Sequence, residues 1–192
     1  MQIRQLSVTY QAEHDRILLR VKTERAEEIR LWLTRRLMLG LWPLLSKLLT
    51  SHLLKLEAAG RSLDAADDSL KKMLADFRKE EFLRDADFET PFQESDGPLP
   101  LGPEPLLVTD VDATPLPDSR LRLSFNERLP QTQEPRSLHL DLEPKLMQAM
   151  MHLLEQSLAR AQWAEPFGSH VATEGHGLAQ DHQAVRRPRY LN

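Results

Sequence analysis

The sequence contains no cysteine among its 192 residues. Disulfide bonds, thiolate metal ligands and cysteine nucleophiles are therefore excluded, and the absence fits a reducing compartment. Glycine is scarce, with 7 residues, and the sequence has neither a Walker loop nor a dinucleotide-binding fingerprint. The nucleophile elbow of α/β-hydrolases and the zinc-protease signature are missing as well. These absences exclude several common enzyme classes.

The sequence also lacks a long uninterrupted hydrophobic segment. Its densest apolar stretch, residues 28–57, is broken by several cations, including Arg35, Arg36 and Lys47. A membrane-spanning helix needs about 20 mostly apolar residues. The first residues do not show the charged-then-apolar pattern of a signal peptide. We therefore predict no membrane insertion and a cytoplasmic location.

Charge is unevenly distributed along a chain of otherwise ordinary globular composition. Hydrophobic residues make up 41% and charged residues 28%, and the formal net charge is -4. Residues 1–40 hold 8 Lys and Arg against 5 Asp and Glu, whereas residues 62–118 hold 5 against 15. A dedicated nucleic-acid-binding protein usually has a basic domain or face. The overall charge gives no such indication.

The apolar stretch of residues 28–57 is the best candidate for the centre of the core. Residues 29–33 alternate apolar and polar side chains, which predicts a strand with one buried face. From Arg35 onward the leucines recur at helical spacing. Pro43 removes a helix hydrogen bond, so the predicted helix either begins near Leu41 or is kinked there.

Two further alternating runs precede this stretch, and a similar order of elements follows it. Three strands and a helix are predicted for residues 1–60, and again for residues 106–163. Between these units we predict an amphipathic helix over residues 61–84 and an acidic, proline-rich linker over residues 85–105. Residues 164–192 are predicted to form a flexible tail. The expected fold class is α+β, with two strand-strand-strand-helix units whose antiparallel sheets are covered by helices.

Residues 106–114, LLVTDVDAT, form the most enzyme-like string in the sequence. They resemble the first motif of the haloacid dehalogenase-like phosphatases, an apolar strand that ends in D-x-D-x-T. The resemblance implies that Asp110 is a nucleophile and Asp112 a general acid beside a magnesium ion. Only 78 residues follow Thr114, too few for the parallel sheet of that family. We favour a hairpin whose acidic residues face solvent.

Outward-facing cations on the predicted strands suggest a nucleic-acid interface. If these strands shared one sheet, its outer face would combine cations with an aromatic ring, as in many single-strand binders. The residues concerned are Arg20, Arg30, Trp32, Arg120 and Arg122. A solvated antiparallel face carries the same residue types without binding anything. The acidic middle of the chain would also have to be kept away from phosphates.

The uncharged run of residues 37–45 suggests a protein interface. It places apolar side chains on every side of a helix, whereas covering one face of a sheet requires a stripe only about 100° wide. Another part of the chain, or a second molecule, should cover the remainder. The candidate partner-binding residues are Leu41, Trp42 and Leu45, together with Arg186, Arg187, Arg189 and Tyr190 in the basic C-terminal tail.

These patterns together favour a non-enzymatic protein without a cofactor. We predict an accessory or assembly subunit that binds another protein or forms a homo-oligomer. Nucleic-acid association through the arginine-bearing strands and the tail is the second hypothesis. A small magnesium-dependent phosphatase is the third.

Overall fold

The computed structural model describes residues 1–57, 68–84, 86–94, 96–117, 119–128 and 135–163. These parts contain seven strands, in two sheets, and three α-helices. The predicted α+β class is therefore confirmed. The predicted tail lies outside the described residues, as do residues 61–67 of the predicted amphipathic helix.

The first sheet is built mainly from the N-terminal part of the chain. Its strands are β1 (Ile3–Gln11), β2 (Arg16–Thr23), β3 (Glu28–Thr34) and β4 (Leu106–Leu107). The first three are antiparallel neighbours in chain order, and β4 lies parallel to β3 at the edge. Alternation places Leu19, Leu31 and Leu33 on the core face, where each is at most 1% exposed.

Helix α1 (Arg35–Glu57) follows β3 without an intervening loop. The backbone N–H of Leu37 donates to the hydroxyl of Thr34, which satisfies one of the free amides at the helix start. The helix thus begins six residues before Leu41, the alternative start predicted from the sequence, and Pro43 lies inside it. The prediction of a start near Leu41 is wrong, because the threonine cap determines where the helix begins.

The remaining elements form the second sheet and two further helices. They are α2 (Asp68–Arg84), β5 (Asp110–Pro115), β6 (Leu121–Glu127), β7 (Arg136–Leu142) and α3 (Pro144–Arg160). The second sheet is antiparallel in the order β5-β6-β7. Helix α2 packs against both α1 and α3. None of the helices, as far as the structure describes them, is long and apolar enough to cross a membrane.

The two sheets meet at an ion pair and share one hydrophobic core. Glu127 accepts hydrogen bonds from Arg136 and from the backbone N–H of Leu107, so a residue of β6 binds both β7 and β4. At the other end of the core, α3 packs against β1, where the Ser157 hydroxyl donates to the Val8 carbonyl at 3.1 Å. Buried side chains from both sheets, α1 and α3 form one cluster.

Candidate functional site

The outer face of the first sheet carries a compact group of cations. Arg20 of β2 lies opposite Arg30 of β3, and Lys22 lies opposite Glu28 in the next row. Like charges directly opposite each other on a sheet are destabilising. The arginine pair therefore requires neighbouring groups that accept hydrogen bonds or supply negative charge.

Those groups come from residues 91–94 and 96–103, which we call the covering segment. The Gln5 side chain pairs with its backbone twice, donating to the Pro91 carbonyl at 3.3 Å and accepting from the Gln93 N–H at 3.1 Å. The ammonium group of Lys22 donates to the Gln93 carbonyl at 2.8 Å. The segment is predicted as a linker, and the structure shows that it lies across the sheet.

Both arginines are bound by the covering segment. The Arg20 guanidinium lies 4.2 Å from the centre of the Phe92 ring and forms a 3.3 Å ion pair with Glu94. Arg30 donates to the Pro103 carbonyl at 2.6 Å. The covering segment therefore occupies the cationic face that the nucleic-acid hypothesis requires.

Of the remaining residues of that hypothesis, Trp32 extends this face and the two arginines do not. Trp32 lies in the row next to Arg30, with its ring 5.4 Å from that of His14, but Arg122 belongs to β6 of the second sheet. Arg122 donates twice to Asp141, at 2.6 and 2.8 Å, and this contact lowers the pKa of the Asp141 carboxyl. Arg120 directly precedes β6. The single cationic sheet assumed from the sequence is therefore divided between two sheets.

The phosphatase-like string lies in an antiparallel hairpin, as favoured from the sequence. Strand β5 pairs with β6, and Asp110 and Asp112 lie on the same face of it. The Asn126 amide donates to both carboxylates, at 3.3 and 3.2 Å, and Arg128 lies 3.4 Å from Asp110. In the described parts of the chain, no group of three or more His, Asp and Glu side chains is placed to hold a metal ion. The string also spans two strands, because β4 ends at Leu107.

The candidate partner-binding residues of α1 lie mostly in the core. Leu41 is 8% exposed and Leu45 2%, while Trp42 is half-buried. The exposed apolar side chains of α1 are instead Leu39, at 40%, and Leu44, at 61%. Helix packing within one chain covers the side that bears Leu41 and Leu45, which is one of the two alternatives considered from the sequence. Partner binding through these residues stays a prediction. The four tail candidates, Arg186, Arg187, Arg189 and Tyr190, lie outside the described residues.

A groove of about 500 Å³ runs between the first turns of α1 and the start of β5. Leu37, Leu41 and Leu44 line it from the helix, together with Gly40, which leaves open space where a side chain would be. Residues 107–111 line it from the other side. The groove was not predicted from the sequence. One signal was present, because the acidic residues that alternate with apolar ones over residues 110–113 are typical of an edge strand.

Comparison with protein-family models, with curated proteins and with solved structures found no match to this chain. Function is therefore inferred from the surfaces of the chain itself.

Proposed function

We propose that this chain is a non-enzymatic interaction protein, an accessory or assembly subunit that binds another protein through α1 and α2. The observation that carries the proposal is the position of the exposed large apolar side chains. Four of the six in the described part of the chain lie on these two helices, namely Leu39, Leu44, Met73 and Phe77.

The exposure of these side chains is large enough to matter energetically. Met73 is 61% exposed and Phe77 63%, and their spacing of four residues places them on the same side of α2. Full burial of such a side chain contributes about 1.5–3 kcal/mol, before the entropic cost of association is subtracted. A partner that covers both side chains would gain a substantial part of a typical binding free energy.

A protein partner suits the described surface better than a nucleic acid does. The covering segment binds Arg20 and Arg30, and Asp141 binds Arg122. Phosphate binding would have to displace those contacts before any counterion release could contribute. The apolar side chains of α1 and α2 require no such displacement.

The experiment is affinity purification of the tagged chain from its native host. We expect a protein that co-purifies in fixed stoichiometry with the wild type and is lost from the double variant Met73→Lys with Phe77→Lys. The charge-matched control is Glu13→Gln with Glu24→Gln, which changes the net charge by the same amount at exposed turns of the first sheet and should retain the partner.

Three results would contradict the proposal. The same proteins could co-purify with the wild type and with both double variants. Nucleic acid could also be the one component that co-purifies specifically with the wild type. Magnesium-dependent phosphate-ester hydrolysis that disappears in Asp110→Asn would favour the phosphatase hypothesis instead. A larger species of the purified chain alone, seen by sedimentation and lost in the lysine double variant, would identify the partner as a second copy.

A further inference from the structure

We propose that the groove between α1 and β5 binds an extended segment of a partner protein, which adds to the second sheet as a fourth strand. The segment would alternate basic and apolar residues. This inference rests on the proposed function, since it names where and in which conformation a partner protein binds.

The first argument is the open backbone edge of β5. This strand is at the end of the β5-β6-β7 sheet, and β6 is its one strand neighbour in the described structure. The Leu116 N–H donates to the Arg120 carbonyl at 2.8 Å, and hydrogen-bonded pairs alternate along an antiparallel ladder. Asp112 and Thr114 therefore direct their backbone groups to β6, whereas Val111 and Ala113 direct theirs to the open edge. An edge of this kind pairs readily with another extended chain.

The two faces of β5 specify which side chains an added strand should carry. Val111 and Ala113 are half-buried against the core, and Val111 lines the groove beside the leucines of α1. Asp110 and Asp112 occupy the opposite face, where Asp110 forms an ion pair with Arg128 and Asp112, which among the described residues accepts only from the Asn126 amide, is exposed. A partner strand with apolar residues toward α1 and lysine or arginine toward the carboxylates would match both faces.

The same carboxylates disfavour a second copy of this chain at the edge. Antiparallel pairing of two β5 strands centred on Asp112 would place the two Asp112 carboxylates directly opposite each other. Like charges directly opposite each other on neighbouring strands are destabilising. Charge complementarity therefore favours a basic partner segment over self-association.

The groove also has room for the added strand. Gly40 is exposed on the α1 side, and a Cβ built there meets no atom within 4 Å. Leu44, four residues later on the same side of the helix, is 61% exposed and provides an apolar contact. The absence of a side chain at position 40 allows a second backbone to approach the helix closely.

The test measures binding of a labelled synthetic peptide of alternating lysine and valine by fluorescence anisotropy. We expect it to bind at least about tenfold more tightly than a peptide of the same composition with its lysines and valines in separate blocks. Methylation of alternate backbone nitrogens of the peptide should abolish binding, because it removes the donors that pair with β5 while leaving the protein unchanged.

Protein variants locate the site. Asp110→Asn with Asp112→Asn should weaken binding of the alternating peptide at least about tenfold. The control Glu13→Gln with Glu24→Gln, which removes the same charge at two exposed turns, should not. Gly40→Trp should block the groove, whereas Gly40→Ala, which adds a single methyl group, should weaken binding much less. Ala113→Pro should also prevent binding, since it removes an outward N–H without removing a bond to β6.

The inference would be overturned in favour of nonspecific charge attraction by either of two results. One is equal affinity for the alternating peptide and the peptide with separate blocks, and the other is an equal loss of affinity for the alternating peptide in the Asp and Glu double variants. A dimer that is lost in Gly40→Trp would overturn it in favour of a second copy. If the peptide does not bind while the lysine variant of α2 still loses its partner, the proposed function remains and this inference is wrong.

Discussion

Glu127 lies buried where the two sheets meet, with 3% of the residue exposed. A buried carboxylate is costly unless it is paired and fully hydrogen-bonded. Arg136 and the Leu107 N–H meet that requirement, and Arg136 also donates to the carbonyls of Leu101 and Glu104. The Glu127–Arg136 ion pair thereby connects β6, β7, β4 and the residues before β4.

We expect Glu127→Gln to lower the free energy of unfolding by about 1–3 kcal/mol, because Arg136 loses its charged partner in a partly buried site. The matched control is Asp141→Asn, which breaks the more exposed pair with Arg122 and should cost less than about 1 kcal/mol. Urea unfolding measures both variants. Equal losses would show that burial at the junction does not strengthen the Glu127 pair.

The pH dependence of stability provides a second check on Glu127. Its pKa is lowered, first because Arg136 donates a hydrogen bond to it and also because the Leu107 N–H does. A group whose pKa is lower in the folded state contributes stability above its unfolded pKa and loses that contribution as the pH falls through its folded pKa. The free energy of unfolding of the wild type should therefore exceed that of Glu127→Gln by its full amount at neutral pH, and this difference should shrink in acid.

At the scale of single elements, α1 combines a favourable start with an unfavourable interior. Thr34 caps the helix, whereas Pro43, its ninth residue, cannot donate to the preceding turn. The first buried residue of the stripe is Met38, and the next are Leu41, Leu45 and Leu49. Burial of this stripe compensates for the cost of the proline.

Replacement of this proline should stabilise the protein. We expect Pro43→Ala to raise the free energy of unfolding by about 1–3 kcal/mol, because Pro43 is exposed and alanine restores a helix hydrogen bond. Gly40→Ala on the same helix is the control and should raise it by about 0.5–1 kcal/mol. Thermal unfolding followed by circular dichroism measures both. A loss of stability in Pro43→Ala would indicate that the chain uses a bend at this position.

The sequence pattern predicted strands well where alternation was regular and failed where its parity changed. Residues 6–10, 17–21 and 29–33 have apolar side chains at every second position and form the central parts of β1, β2 and β3. The run from Leu107 to Val111 was predicted as one strand, but it contributes to two strands in different sheets. The core-facing positions change from even at Leu106 and Val108, which are buried, to odd at Val111, which is half-buried. That change of parity was visible in the sequence, and it marks the crossing between sheets.

At the scale of the whole molecule, the end of α3 connects the two parts of the chain. Trp163 is 1% exposed, its indole N–H donates to Asp15 at 3.1 Å, and its ring meets Tyr10 edge-on at 5.7 Å. The residue was predicted to end the helix of a second unit. It packs against the turn between the first two strands instead, so the C-terminal helix contributes to the N-terminal sheet.

Loss of Trp163 should therefore destabilise the whole molecule. We expect Trp163→Ala to lower the free energy of unfolding by about 3–5 kcal/mol, because it leaves a large cavity and removes one of the two hydrogen bonds that Asp15 accepts, the other coming from the Tyr10 hydroxyl. Trp32→Ala, on the half-buried outer face of β3, is the control and should cost clearly less. In urea, tryptophan fluorescence and far-ultraviolet circular dichroism should change together if both sheets unfold as one unit. Two separate transitions would show that the sheets are independent domains.

The position of the covering segment was beyond sequence analysis for a physical reason. Residues 91–103 have no periodicity in the sequence, and the described ones are held by side chains far away in the chain; Gln5 and Gln93, for example, are 88 positions apart. Local pattern reports only on neighbours within a few residues. An indirect signal was present, since Phe92 and Glu94 in an acidic run complement the unpaired arginines predicted on the outer face of the first sheet.

This arrangement also has a consequence for biosynthesis. Arg30 and the Pro103 carbonyl that it binds are 73 residues apart, and β4 comes later still. At translation rates of about 5–20 residues per second, about 4–15 s pass before the ribosome has made the chain that completes the first sheet. Contacts between distant residues also slow the folding reaction itself. During that interval the nascent chain exposes the edge of β3 and a bare pair of arginines, so slower translation should increase its aggregation.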